Sequence, residues 1–245
     1  MLSGATGIIS TLVNLPIKMI TLGILGPINY GLVRIFSLID SYIIYGELGT
    51  KFGLSRNVPE LLGENKNKEA RDIVGIALPW VMVTLLIGIS VLSALFFSGY
   101  TFNGLLTFNR LILISMTLFF STLNRFAINY AIGYGIFNIV GSKKVISSFS
   151  PIIMLIPVYI WKATGLIIGL LLQNIVLTSV VLYLIHKSGK LFISINLDYK
   201  KFINLIKSTT SLFTFNTLTH FSTHVVAPSI LVLINGANSL GLLTF

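Results

Sequence analysis

The chain has 245 residues, of which 54% are apolar and 10% charged, and its 17 Lys and Arg against 7 Asp and Glu leave a net charge of +10. A soluble domain carries about 25% charged residues, so this composition cannot furnish a conventional water-facing surface; the positive excess belongs in loops between membrane helices, and nucleic acid is not an expected partner. Cysteine is absent, which excludes disulfides, thiolate metal sites and a cysteine nucleophile.

Long apolar runs separated by short polar ones predict an all-α integral membrane protein, a polytopic helical bundle and not a barrel of alternating strands. The first span is expected from about Gly7 to Leu25, ending at Gly26-Pro27, where proline removes a backbone donor and disfavours helix in the residue before it. Because no basic region precedes it and further spans follow at once, it is read as a retained helix and not a cleaved signal. A second span covers about Tyr30 to Leu48. The polar segment Gly49 to Asp72 is expected as a solvated, partly helical loop. A third span, Ile73 to Phe97, ends at Ser98-Gly99-Tyr100-Thr101, and a fourth runs from about Leu111 to Tyr134 or a few residues beyond. Gly141-Ser142-Lys143-Lys144 reads as a short basic turn. Spans five (Val145 to Trp161) and six (Leu166 to Ile185) are separated only by Lys162-Ala163-Thr164-Gly165, which predicts a tight helical hairpin.

The expected organisation is therefore a six-helix bundle over 1–186, a basic loop over 187–208, and a seventh span with the start of an eighth over 209–245: about seven transmembrane helices plus a stump. Ending on Leu242-Leu243-Thr244-Phe245, within an apolar run, makes an incomplete chain the expectation. Basic residues concentrate in the loops after spans two, four and six, so the positive-inside rule puts those loops and the N-terminus in the cytoplasm, with the protein multi-pass in the cytoplasmic membrane.

Leu25-Gly26-Pro27-Ile28-Asn29-Tyr30-Gly31-Leu32, followed by Gly46-Glu47-Leu48-Gly49, resembles the oligosaccharide (O-antigen type) flippases of the multidrug/oligosaccharidyl-lipid/polysaccharide exporter superfamily. That family has an LGP-x-x-[FY]-G turn after its first helix and an acidic-Leu-Gly near the end of its second. Gly133-Tyr134-Gly135 looks like the glycine-rich end of the family's fourth helix. Gly236-Ala237-Asn238-Ser239-Leu240-Gly241-Leu242 looks like the turn after its seventh. The chain departs at Gly23, where members often carry arginine, and its nearest cation there is Lys18. The resemblance implies the N-terminal half of a two-bundle flippase that moves an undecaprenyl-diphosphate-linked oligosaccharide of O-antigen, lipopolysaccharide or polysaccharide biosynthesis across the membrane by alternating access. A second bundle, other polysaccharide-assembly proteins and membrane lipids are the implied partners.

Charged residues within spans are costly and mark sites. Lys18, Arg34 and Arg125 are candidates to face a cavity and hold a diphosphate, against the alternative of structural pairing or snorkelling. Asp40 is a candidate for a coupling ion or, equally, a partner for a basic residue on a neighbouring helix. Asp40 and Glu47, seven apart, share one helix face. Asn124, Asn129, His220 and His224 are polar cavity candidates. The two histidines, four apart, lack an acidic third ligand, so no metal is expected. No Walker loop, dinucleotide fingerprint or GxSxG elbow occurs, which makes a transporter without catalysis or cofactor the expectation. The competing readings are a cation-coupled multidrug-type exporter centred on Asp40, a membrane polymerase or glycosyltransferase, and a structural scaffold.

Overall fold

A computed structural model of the chain describes residues 2–99, 106–190, 198–221, 226 and 229–230. Among them are six helices and no strand: α1 (Leu2–Gly46), α2 (Thr50–Gly63), α3 (Asn67–Phe97), α4 (Phe108–Gly133), α5 (Phe137–Lys187) and α6 (Tyr199–Phe221). Three of them, α3, α4 and α5, are long and apolar enough to cross a membrane. Their outward faces agree: Val83, Leu86, Ile87 and Val91 of α3 are exposed, as are Ile152, Ile156 and Ile160 of α5. Apolar surface on this scale is stable against lipid and not against water.

Two helices are broken where the sequence demands it. α1 leaves helical geometry at Gly26, with φ 69° and ψ 169°, a conformation open to glycine and strained for other residues. α5 turns at Lys162, and its two legs run back along each other: a Cβ on Gly165 would collide with the Pro157 carbonyl oxygen, one on Gly169 would meet Met154, and Gln173 Nε2 donates to Ser150 Oγ at 2.8 Å. The expected hairpin of spans five and six is therefore present.

Three expectations need correction. The segment 49–72 is mostly packed helix, because Leu54 and Val58, four apart on α2, are buried against Ala70, Val74, Ala77 and Val81 of α3 while Arg56 and Glu60 face outward. The segment Gly141 to Lys144 does not form a turn; it lies within α5. The turn comes at Gly135, whose φ of 69° lets Gly135 N–H reach the Ile132 carbonyl and Ile136 N–H the Ala131 carbonyl, a glycine-terminated helix end. Nor does a helix begin at 209: Asp198 Oδ1 accepts from the Lys200 and Lys201 amides, capping α6 ten residues earlier, and α6 runs through the expected boundary. Most of the expected seventh span beyond Phe221, and the start of an eighth at 239–245, lie outside the described residues.

The polar turns gather at one end of the bundle. Lys190 Nζ donates to the Tyr134 carbonyl, Tyr130 Oη donates to the Lys190 carbonyl, and Lys201 Nζ lies 2.5 Å from Asp72 Oδ2. At the other end Arg110 Nε donates to Thr164 Oγ1, and Leu25 packs with Val158 and Leu166.

The hairpin packing is testable. Gly165→Ala is expected to lower thermal stability in detergent by about 1–3 kcal/mol, since its new methyl meets backbone that cannot rotate away. Gly141→Ala, with nothing within 4 Å, serves as the control and is expected to be neutral or stabilising. Equal melting of Gly165→Ala and the native chain would refute the packing of the legs.

Candidate functional site

At Gly46 the second leg of α1 ends, and Glu47-Leu48-Gly49 turns the chain into α2. Leu48 has φ 49° and Gly49 φ 79°, and Thr50 Oγ1 donates to the Glu47 carbonyl. Gly49 also lies against Phe213 of α6, whose Cβ is 3.0 Å from where a glycine Cβ would stand. The break sits beside the central helices, because Gly46 faces Thr84 of α3 and Gly133 of α4 faces the Leu54 carbonyl of α2.

Charges collect at this break. Arg125 Nη1 donates to both carboxylate oxygens of Asp40 at 2.8 Å and to Ser121 Oγ at 2.7 Å, while Nη2 donates to Thr122 Oγ1 at 2.9 Å. Nη2 also lies 3.8 Å from Glu47 Oε1, and Glu47 Oε2 lies 3.8 Å from Lys51 Nζ. The shared face of Asp40 and Glu47 thus meets one guanidinium. Asp40 and Arg125 are 18% and 20% exposed, whereas Glu47 is 2% exposed, so the ladder descends from a partly open pair into the core.

Of the residues singled out in the sequence, Arg125 and Asp40 are therefore brought together, and Asp40 serves Arg125 as its counter-ion. Asn129, one turn along from Arg125, is half-buried and donates to the Arg125 carbonyl; Asn124 is buried on another face, its Oδ1 without a partner among the described residues. The side chains of Lys18, Arg34 and His220, and all of His224, lie outside the described residues.

Two cations at the cluster were missed, both assigned from composition to solvated turns. Lys51 could have been found from its spacing, four residues after Glu47. Lys143 follows only once the turn is set at Gly135, which brings the residue into α5; there it is half-buried and within electrostatic reach of Arg125.

A second polar feature lies at the end of the bundle: a groove of about 430 Å³ between α2, α3 and α6, lined by Asn57, Asp72, Lys201 and Asn204 among others. Hydrogen bonding to Asp72 holds the Lys201 ammonium above its ordinary pKa. The pair is largely exposed, and such pairs contribute little.

Comparison of the chain with protein families, with curated proteins and with solved structures gave no match.

The central pair predicts non-additive energetics. Asp40→Asn and Arg125→Gln are each expected to destabilise by about 1–3 kcal/mol, below the roughly 3–5 kcal/mol of a fully buried pair because both groups keep some solvent. The double variant is expected to lose less than the two single losses combined, by about 0.5–3 kcal/mol. Strict additivity in denaturant titration would mean that the two groups do not interact.

Proposed function

We propose that the chain is a membrane transporter of the flippase type, which moves a lipid-diphosphate-linked oligosaccharide between leaflets of the cytoplasmic membrane by alternating access, with its N-terminus in the cytoplasm. The observation that carries this reading is a half-buried charge cluster set at a helix break within an apolar helical bundle. Ionic groups at membrane depth are expensive and are retained where they serve a pathway, and broken helices at such depth are a recurrent way to build one.

Two features of the backbone support the resemblance on which the substrate rests. The first motif breaks α1 at Gly26, and the acidic-Leu-Gly motif is the turn that carries Glu47 into the ion ladder. Both motifs thus lie where the chain leaves helical geometry, which is where rocking of one bundle against another would need it to bend. Three cations, Lys51, Arg125 and Lys143, stand against two carboxylates, Asp40 and Glu47, so the cluster retains positive charge for an anionic substrate. Arg34, on the same helix as Asp40, adds a further cation to that leg. In this reading transport needs no covalent step and no cofactor.

The test is leaflet exchange of a fluorescent undecaprenyl-diphosphate oligosaccharide in liposomes containing the purified chain. Exchange is expected above empty vesicles and about ten-fold lower with Arg34→Ala/Arg125→Ala at equal folded protein, the size of one lost charge-assisted contact. Absence of exchange by folded native protein across all protein-to-lipid ratios would overturn the reading.

A further inference from the structure

The outward-facing helices carry their exposed apolar residues in short bands. On the first leg of α5 the band runs from Val145 through Phe149, Ile152 and Ile156 to Trp161; just before it Gly141 and Ser142 are exposed and Lys143 is half-buried. On α3 the band runs from Val83 through Leu86, Ile87 and Val91 to Phe97. Before Val83 that helix is covered: Val74, Ala77 and Val81 pack on α2, the Trp80 ring lies 4.6 Å from that of Phe202 in α6, and α6 itself exposes Lys200, Asn204 and Lys207. On the second leg of α5 the last exposed aliphatic residue is Val176, followed by exposed Ser179, Tyr183 and His186. At the opposite end the bands share one rim. Phe97, Phe108, Tyr159 and Trp161 are exposed there, Lys162 lies beside them, and the hydrogen bond from Arg110 to Thr164 ties the two turns together. Aromatic and basic side chains in this arrangement mark the headgroup level.

Helix rise converts the bands into lengths. The 16 residue steps from Val145 to Trp161 correspond to about 24 Å, and the 14 from Val83 to Phe97 to about 21 Å. Tilting a helix only shortens its band along the membrane normal. The hydrocarbon core of a typical bilayer is about 30 Å thick, so in such a bilayer the polar ends of the bands would lie about 6–9 Å inside it. Lysine can snorkel out of that layer, but the short hydroxyl of Ser142 cannot. A bilayer meets a span that is too short by thinning around it. We propose that the lipid-facing belt of the bundle fits a hydrocarbon layer of about 21–24 Å, and that the bilayer thins to this value along α3 and the first leg of α5. The partner of these faces is then the acyl chains of a thinned annulus. Tyr183 and Tyr199, exposed beyond the inner rim, stand at headgroup level. The belt rests on exposed surface and is independent of the transport reading.

The chain has no cysteine, so single introduced cysteines report depth directly. Ser142→Cys at the proposed inner rim, Ile152→Cys within the band and Ser98→Cys on the exposed turn at the other end are placed in nanodiscs of dioleoylphosphatidylcholine, which leave both faces open. They are then treated with a charged maleimide, which reacts with thiolate in water. Ser142→Cys is expected to react within about ten-fold of the rate of Ser98→Cys, and Ile152→Cys more than about 100-fold slower, as its thiol lies in hydrocarbon. Slower reaction of Ser142→Cys than this limit overturns the belt, as does rapid reaction of Ile152→Cys. An aqueous crevice would also admit the reagent to Ser142→Cys, so a second measurement on the native chain is required alongside. Its denaturant midpoint is read in phosphatidylcholines with monounsaturated chains of 14, 16, 18, 20 and 22 carbons. The midpoint is expected to be highest at 14 or 16 carbons and to fall as the chains lengthen, because each added ångström of mismatch has a cost. A maximum at 18 carbons or more overturns the belt whatever the labelling shows. This series also decides alone if a cysteine variant fails to fold. Neither measurement depends on leaflet exchange, so the belt and the transport reading stand or fall separately.

Discussion

The bond between Arg125 and Asp40 is a polar constraint set inside an otherwise apolar bundle. Either charge alone at membrane depth would cost about 2.5–3.5 kcal/mol even on the lenient insertion scales. Together, with Ser121 and Thr122 completing the guanidinium's hydrogen bonds, they fix the second leg of α1 to α4 at one rotational setting. Apolar packing between helices in lipid is weakly directional, so a polar contact of this kind does much to decide register. Leu85, Leu92, Leu111, Ile114 and Leu118 share one buried apolar cluster with Ile43, one turn from Asp40.

The ladder continues from Glu47 to Lys51, four residues on, across the turn at Leu48 and Gly49. The positive φ values at those two residues redirect the chain into α2, which lies across α3 and α4. α2 in turn receives α6, with Leu205 and Thr209 seated against Gly53 and Ser208 bonded by Asn57. A shift of α6 would therefore be felt at α2, and through Lys51 at the buried carboxylate of Glu47. The break joins the polar end of the bundle to its charged interior.

Much of this architecture could be read from sequence, for reasons that differ from residue to residue. The uncharged run from Ile73 to Phe97 allowed one structure in lipid, and α3 covers it. The seven-residue spacing of Asp40 and Glu47 gave their common face without naming Arg125, since which helix supplies the partner is a tertiary matter. Errors arose where composition stood in for geometry. The charges of 49–72 concealed the apolar pair Leu54 and Val58, four apart, that buries α2. Gly141-Ser142-Lys143-Lys144 looked like a turn because it is small and basic, but Gly135, bracketed by the apolar Ile132 and Ile136, holds the positive φ that ends α4. That shift of a few residues moved Lys143 from water to the site. The α6 boundary was missed for a similar reason: Asp198 is the lone acid among lysines, and its value as a cap outweighs the charge around it.

The fold-back at Lys162 has a consequence for assembly. Its principal contacts, Pro157 with Gly165, Met154 with Gly169 and Ser150 with Gln173, join residues close in the chain, so they need little loop closure and form ahead of pairings such as Asp40 with Arg125. The two legs of α5 can thus become a finished unit as soon as both have been synthesised, with the hydroxyl of Ser150 already satisfied by Gln173 before either meets the rest of the bundle. The hairpin is a local surface against which α1 and α4, both packed on α5, can be sorted.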